Sequence, residues 1–198
     1  MEKEYINPNN PVYFSYAWAN DEHPDLEDDV NVLCKLLEEN HIYYKRDKES
    51  LCPYRWNIQE AEKEIGEGSA IIVVISERYI KSLHCMNEWH FMRKNGKIET
   101  RIFPIVLKDA KILDKKTYKE YYDFFLDRRH SLSDQQDKGI IPLTRVETEA
   151  ANAKYYIGDL EDMYQYLADY NTSKLSILRK DDYEIIIRQL TEYFKKKL

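Results

Sequence analysis

Six consecutive apolar residues, Ala70 to Ile75, stand between Ser69 and the polar Ser76-Glu77-Arg78. A short β-branched run bounded in this way reads as a buried parallel strand. After it, Tyr79, Ile80, Leu83, Met86 and Trp89 recur at roughly helical spacing, which predicts a helix directly behind the strand. In open α/β sheets, ligands bind outside the carboxyl ends of the strands. Glu88, on the helix-like segment that leaves this strand with Ser82 and Cys85, is therefore a candidate site residue.

The segments on either side repeat the pattern. Pro11–Trp18 reads as a first strand, with Pro24 or Asp25 placed to start a helix whose apolar face is Leu26, Val30, Leu33 and Leu37. His41–Arg46 reads as a second strand, leading into Asp47 and a polar loop. Trp56–Ile65 reads as a helix with Ile58, Ala61 and Ile65 on one side, closed by Gly66 and Gly68 as C-cap glycines. Arg101–Leu107 is a fourth strand, and its Pro104 predicts a bulge or an edge. A βαβαβαβ order predicts a parallel sheet with right-handed crossovers.

Beyond Lys108 the rhythm changes. Residues 111–128 read as an aromatic-rich helix, and 129–157 show no clear period. Asp159 is placed to cap a short helix ending at Tyr170. Ser173–Leu178 reads as a weak fifth strand and Asp182–Lys197 as a closing helix. The expectation is a single α/β domain over 1–198. Its parts are a regular half at 11–108, a variable, partly helical insertion at 109–172, and a last strand and helix at 173–198.

Charge and composition exclude several classes. Thirty basic against 36 acidic residues give a formal charge of −6, so nothing draws the chain as a whole to nucleic acid or to acidic membranes. No apolar run is long enough to span a bilayer, and MEKEYINPNN has no signal-peptide core. Cys34, Cys52 and Cys85 are odd in number and widely spaced, which fits a reducing cytoplasm. There is no phosphate-binding glycine loop, no nucleophile elbow and no zinc spacing. The His84/Glu88 pair alone makes a poor metal site. The 17 tyrosines are read first as core residues with a polar tip, and second as surfaces for a flat ligand.

Four stretches in this order resemble the Toll/interleukin-1 receptor (TIR) domain family. They are VYFSYAWAND, YYKRDKESLCPYRWNIQEAEKEI, SAIIVVISERYIKS and SLHCMNE. The last matches the family's Ser-x-x-Cys-x-x-Glu signature as Ser82, Cys85 and Glu88. The family often carries Trp just before the Cys, where this chain has His84, and Leu51–Tyr54 replaces the usual glycine of the BB loop. The resemblance implies a flavodoxin-like fold with about five parallel strands.

It also implies an enzyme that cleaves the nicotinamide–ribose bond of NAD, with Glu88 as the catalytic carboxylate. Tyr16, Ala17, Trp18, Arg46, Asp47, Trp56, Ser82, His84 and Cys85 would bind substrate. NAD would be the substrate, with no cofactor or metal required. Self-association through the BB loop and helices is expected. A stand-alone chain of this kind resembles bacterial, Thoeris-like anti-phage components that make a nucleotide signal for a separate effector. The other reading of the same resemblance is a non-catalytic adaptor acting through TIR–TIR contacts. A flavodoxin or response-regulator domain fits the fold class alone, because Asp21, Glu22 and Asp47 make only a weak acidic set.

Overall fold

The computed structural model describes residues 4–19, 27–46, 58–112, 114–137, 143–169 and 180–197. Among them, β1 (Val12–Tyr16), β2 (Tyr44–Lys45), β3 (Ala70–Ile75) and β4 (Ile102–Val106) form one parallel sheet in the order β2-β1-β3-β4. β3 is buried along its whole length, as its apolar run predicts. β4 ends the order, so Pro104 sits in an edge strand of the described sheet. β2 is shorter than its sequence suggests. His41 adopts a left-handed φ of 56°, and Ile42 N–H bonds back to Leu37 O, so the turn out of the preceding helix uses up the first residues of that stretch. The stretch 173–178, expected as a fifth strand, lies outside the described residues.

Strand alternation sorts side chains between two layers. Val12, Phe14, Ile72, Val74 and Ile105 pack on α1 (Asp28–Glu39) and the closing helix Lys180–Lys195. Ile71, Val73 and Ile75 pack on the opposite layer. That layer contains α2 (Ile58–Glu67), α3 (Glu77–Lys81), α4 (Leu83–Lys94), the turn α5 (Ile98–Arg101), α6 (Lys115–Asp137) and α7 (Leu143–Asp169). The closing helix is α8. Among the described residues no helix is long and apolar enough to cross a membrane.

Three sequence expectations change here. The helix expected after β3 is two helices, because Ser82 has extended backbone (φ −84°, ψ 120°). Ser82 ends α3, and its hydroxyl accepts from Cys85 N–H to start α4, while Ser76 caps α3 by accepting from Tyr79 N–H. Residues 129–157 are largely helical, with α6 running to Asp137 and α7 starting at Leu143. Tyrosines join these helices: Tyr118 meets Tyr164 edge-on at 4.7 Å, and Phe125 meets Tyr156 at 5.6 Å. Asp159 caps nothing. It is fully buried inside α7 and pairs with His90 (3.0 Å) and Arg93 (2.8 Å) of α4.

The glycines are also reassigned. Gly66 and Gly68 do not take left-handed backbone; Gly96, just past α4, does, with φ 72°. Gly66 is required by close approach instead, since a Cβ there would lie 2.3 Å from Phe91 Cβ on α4. Gly66→Ala must push α2 off α4, and a loss of about 1–3 kcal/mol is expected from such overpacking. Thermal unfolding checks this, and an unchanged melting temperature would show that the helices separate freely.

Candidate active site

The chain leaves β1 toward the α1 layer and leaves β3 toward the α3/α4 layer. Two neighbouring strands whose connections diverge to opposite faces open a crevice at their carboxyl ends. A cavity of about 410 Å³ lies there, large enough for a small-molecule site. The β1 exit gives it Tyr16, Ala17 and Trp18, and α2 gives Ile58, Ala61, Glu62 and Ile65. α3 adds Arg78 and Lys81; the start of α4 adds Ser82, His84, Cys85 and Glu88.

Glu88 is only 7% exposed, yet it faces this cavity. Its Oε2 accepts a 2.5 Å hydrogen bond from Ser15 Oγ, and Ser15 Oγ lies 2.9 Å from the Tyr79 hydroxyl. Ser15 has one hydroxyl proton, and the carboxylate only accepts. Tyr79 must therefore donate to Ser15. Burial pushes the Tyr79 phenol well above its ordinary range, so it keeps the proton this role needs. The chain Tyr79→Ser15→Glu88 fixes a buried carboxylate against the cavity wall. Ser15 reaches it because β1 alternation turns it away from Phe14 and Tyr16, toward α4.

A second carboxylate lines the same cavity. Glu62 is 4% exposed; its Oε1 lies 2.7 Å from His84 Nδ1, and its Oε2 accepts from Asn87 Nδ2 at 3.2 Å. Asn87 Oδ1 in turn accepts from the Tyr156 hydroxyl at 2.8 Å. The hydrogen bond to Glu62 raises the His84 pKa above its usual value.

The cations divide into two groups. Arg46 is not among the lining residues. Its guanidinium donates to Asn31 (2.9 Å), to the Tyr16 hydroxyl (3.2 Å) and to Glu27 (3.2 Å), and it covers the Tyr16 ring. Glu27 also accepts from Ala19 N–H at 2.8 Å, so this pair fastens the β1 exit to α1. Lys81 lines the cavity but pairs with Glu77 at 2.5 Å. Arg78 lines the cavity and has no hydrogen-bond or ion-pair partner among the described residues.

A TIR-domain family model matches residues 12–140, well over half of the chain. The chain belongs to the TIR-domain family. The matched segment of this TIR domain holds the whole described sheet, whereas α7 and α8 lie beyond it. Among solved structures it is similar to the TIR domains of the activated Roq1 resistosome directly recognizing the pathogen effector XopQ. Identity there is 22%, over 81% of this chain and 98% of that one, with a TM-score of 0.48. No curated protein matches the chain.

The structure gathers Glu88, Ser82, His84, Cys85, Ala17 and Trp18 of the expected TIR site around one cavity. Tyr16 touches it too, although its ring is covered by Arg46 and packs in the α1 layer. Trp18 is 38% exposed and so has ring surface for a ligand. Buried Cys85 packs in the α4 core. Asp47, Trp56 and the loop 48–55 lie outside the described residues. Sequence reasoning missed Ser15, Tyr79, Glu62 and Arg78. Spacing offered partial signals, since Ser15 shares a strand face with Tyr13 and Ala17, and Arg78 and Lys81 stand three apart on α3.

Proposed function

We propose that this TIR domain cleaves the N-glycosidic bond between nicotinamide and ribose in NAD. The observation that carries the reading is Glu88, a carboxylate held by a serine–tyrosine relay on the wall of a cavity at the switch point of the sheet. Nicotinamide in NAD is already cationic and leaves as a neutral ring, so the departing group needs no proton donor. What the reaction does need is a fixed negative charge beside the ribose as oxocarbenium character develops. Glu88 supplies that charge, and because Ser15 already orients it, little reorganisation is required. NAD is a substrate in this scheme, and no step calls on a metal or a cofactor.

The remaining lining has matching uses. Trp18 offers a flat face for a heteroaromatic ring, and Arg78 offers an uncommitted guanidinium for the diphosphate. Arg78 therefore stands in for Arg46, which the family resemblance places among the substrate-binding residues but which is held by Asn31, Tyr16 and Glu27. Release of ADP-ribose or a cyclic isomer, self-association, and signalling to a separate effector in anti-phage defence all belong to this reading. A pure adaptor needs no preorganised carboxylate inside a cavity.

Incubating the purified protein with NAD and identifying products by chromatography and mass spectrometry tests the activity. Intact NAD at high protein concentration would refute it. Arg78→Gln should raise the KM for NAD about tenfold, the loss of one charge-assisted hydrogen bond. It should leave the KM for nicotinamide riboside, which has no diphosphate, unchanged. Equal effects on both substrates would place the diphosphate elsewhere.

A further inference from the structure

The Glu62–His84 pair is built as a proton-accepting dyad. A carboxylate only accepts hydrogen bonds, so the Nδ1 that lies 2.7 Å from Glu62 carries the ring proton. In the neutral imidazole this leaves the Nε2 lone pair as the basic atom, and Nε2 has no hydrogen-bond partner among the described residues. Glu62 cannot take a substrate proton easily itself. It is nearly buried, and its two oxygens are held by His84 and Asn87. Asn87 is fixed from behind by Tyr156 of α7, a helix beyond the matched family segment. The His84 side chain is 66% exposed, so a proton taken up there can pass to solvent.

We propose that His84 is a further catalytic residue, accepting the proton of the hydroxyl nucleophile that attacks ribose C1′, and that Glu62 is its positioning residue. The proposal rests on the NAD-cleaving reading above. The C1′–N1 bond breaks with its electron pair going to nicotinamide, which neutralises the ring. The oxygen of water, or of a ribose hydroxyl, then bonds to C1′. Its proton moves to His84 Nε2, giving an imidazolium opposite Glu62, and later leaves to solvent. Glu88 keeps its separate task of facing the ribose cation.

Other charged groups around the cavity are Glu88 on α4 and Arg78 and Lys81 on α3. Lys81 is neutralised by Glu77, and Tyr156 reaches the dyad only through Asn87. Glu62 is thus the group in direct contact with the imidazole. The hydrogen bond to Glu62 raises the His84 pKa, which makes its imidazole a stronger proton acceptor.

The dyad makes a chemical distinction that a structural ion pair does not. Water and hydroxyls must lose a proton when they attack C1′, whereas an added pyridine base exchanging with nicotinamide has none to lose. His84→Ala should lower hydrolysis of NAD about 100-fold, the usual scale for a general base, while exchange with an added pyridine is kept. The wild-type hydrolysis rate should fall as pH drops through the raised His84 pKa. In Glu62→Gln that limb should move to lower pH, because the partner that raises the pKa has lost its charge. If hydrolysis and exchange fall together in His84→Ala, or neither falls, the dyad is overturned and the NAD reading survives. If the wild-type protein leaves NAD intact, both fail.

Discussion

Glu88→Gln should reduce NAD turnover by about 100–1000-fold, the equivalent of ~2.7–4 kcal/mol of lost transition-state stabilisation. The fold should remain intact. Gln has nearly the same shape, and the Ser15 hydroxyl can rotate to meet either a carbonyl or an amide. The melting temperature should therefore move little, which separates a catalytic loss from a folding one. Ser15→Ala is the companion variant. It removes the donor that orients Glu88 at 2.5 Å and should give a smaller loss with Glu88 still present. Near-normal turnover in a folded Glu88→Gln variant, measured by nicotinamide release, would remove Glu88 from the reaction.

Arg101→Met should destabilise the protein by about 3 kcal/mol or more, because several hydrogen bonds to a buried charge are lost together. Arg101 is 5% exposed and ends α5. Its guanidinium donates to Gly66 O (2.9 Å) and Gly68 O (2.8 Å) at the end of α2. It also donates to Met92 O near the end of α4 and to Gly96 O (2.8 Å) just past it. One cation thus satisfies carbonyls at two helix C-termini, where the helix dipoles favour positive charge. Met keeps the aliphatic stem but leaves those carbonyls unpaired in the interior. At ~2–4 °C per kcal/mol for a chain of this size, the melting temperature should drop by roughly 6–12 °C. A drop under about 2 °C would mean that water takes over the bonds. Because Arg101 clamps the two helices that carry Glu62 and Glu88, loss of activity in this variant should track loss of fold.

Local pattern was enough for the sheet half of the domain. The run Ala70–Ile75 matches β3 to the residue, and the β/α alternation gives four of the strands expected. The Ser-x-x-Cys-x-x-Glu spacing places Glu88 two turns into a helix whose start is set by Ser82. These features are carried by neighbours in sequence, so periodicity and capping report them directly.

The reading was poorer where a residue's partner is remote. Arg46 and Arg78 look alike as sequence, each an arginine near a strand exit. Only the approach of Glu27, Asn31 and Tyr16 binds the first into the α1 layer, while the second remains available in the cavity. Asp159 reads as a cap because carboxylates favour helix starts, but it lies inside α7 facing His90 and Arg93 of α4, 69 and 66 positions earlier. Ser82 has the residue type of a helix cap, but that its extended backbone splits the segment into two helices is seen only in the structure.

Neighbours along the chain are sufficient to specify a parallel α/β sheet and to set Glu88 on the helical segment that follows β3. Both follow from contacts within a strand or a helical turn. Tertiary structure alone decided how that carboxylate is held and what stands opposite it. Ser15 meets Glu88 across 73 positions, and Glu62 meets His84 across 22. A hydrophobic period records only that a face is covered. Which polar groups meet is settled when whole elements pack, since buried donors and acceptors must then find partners in three dimensions.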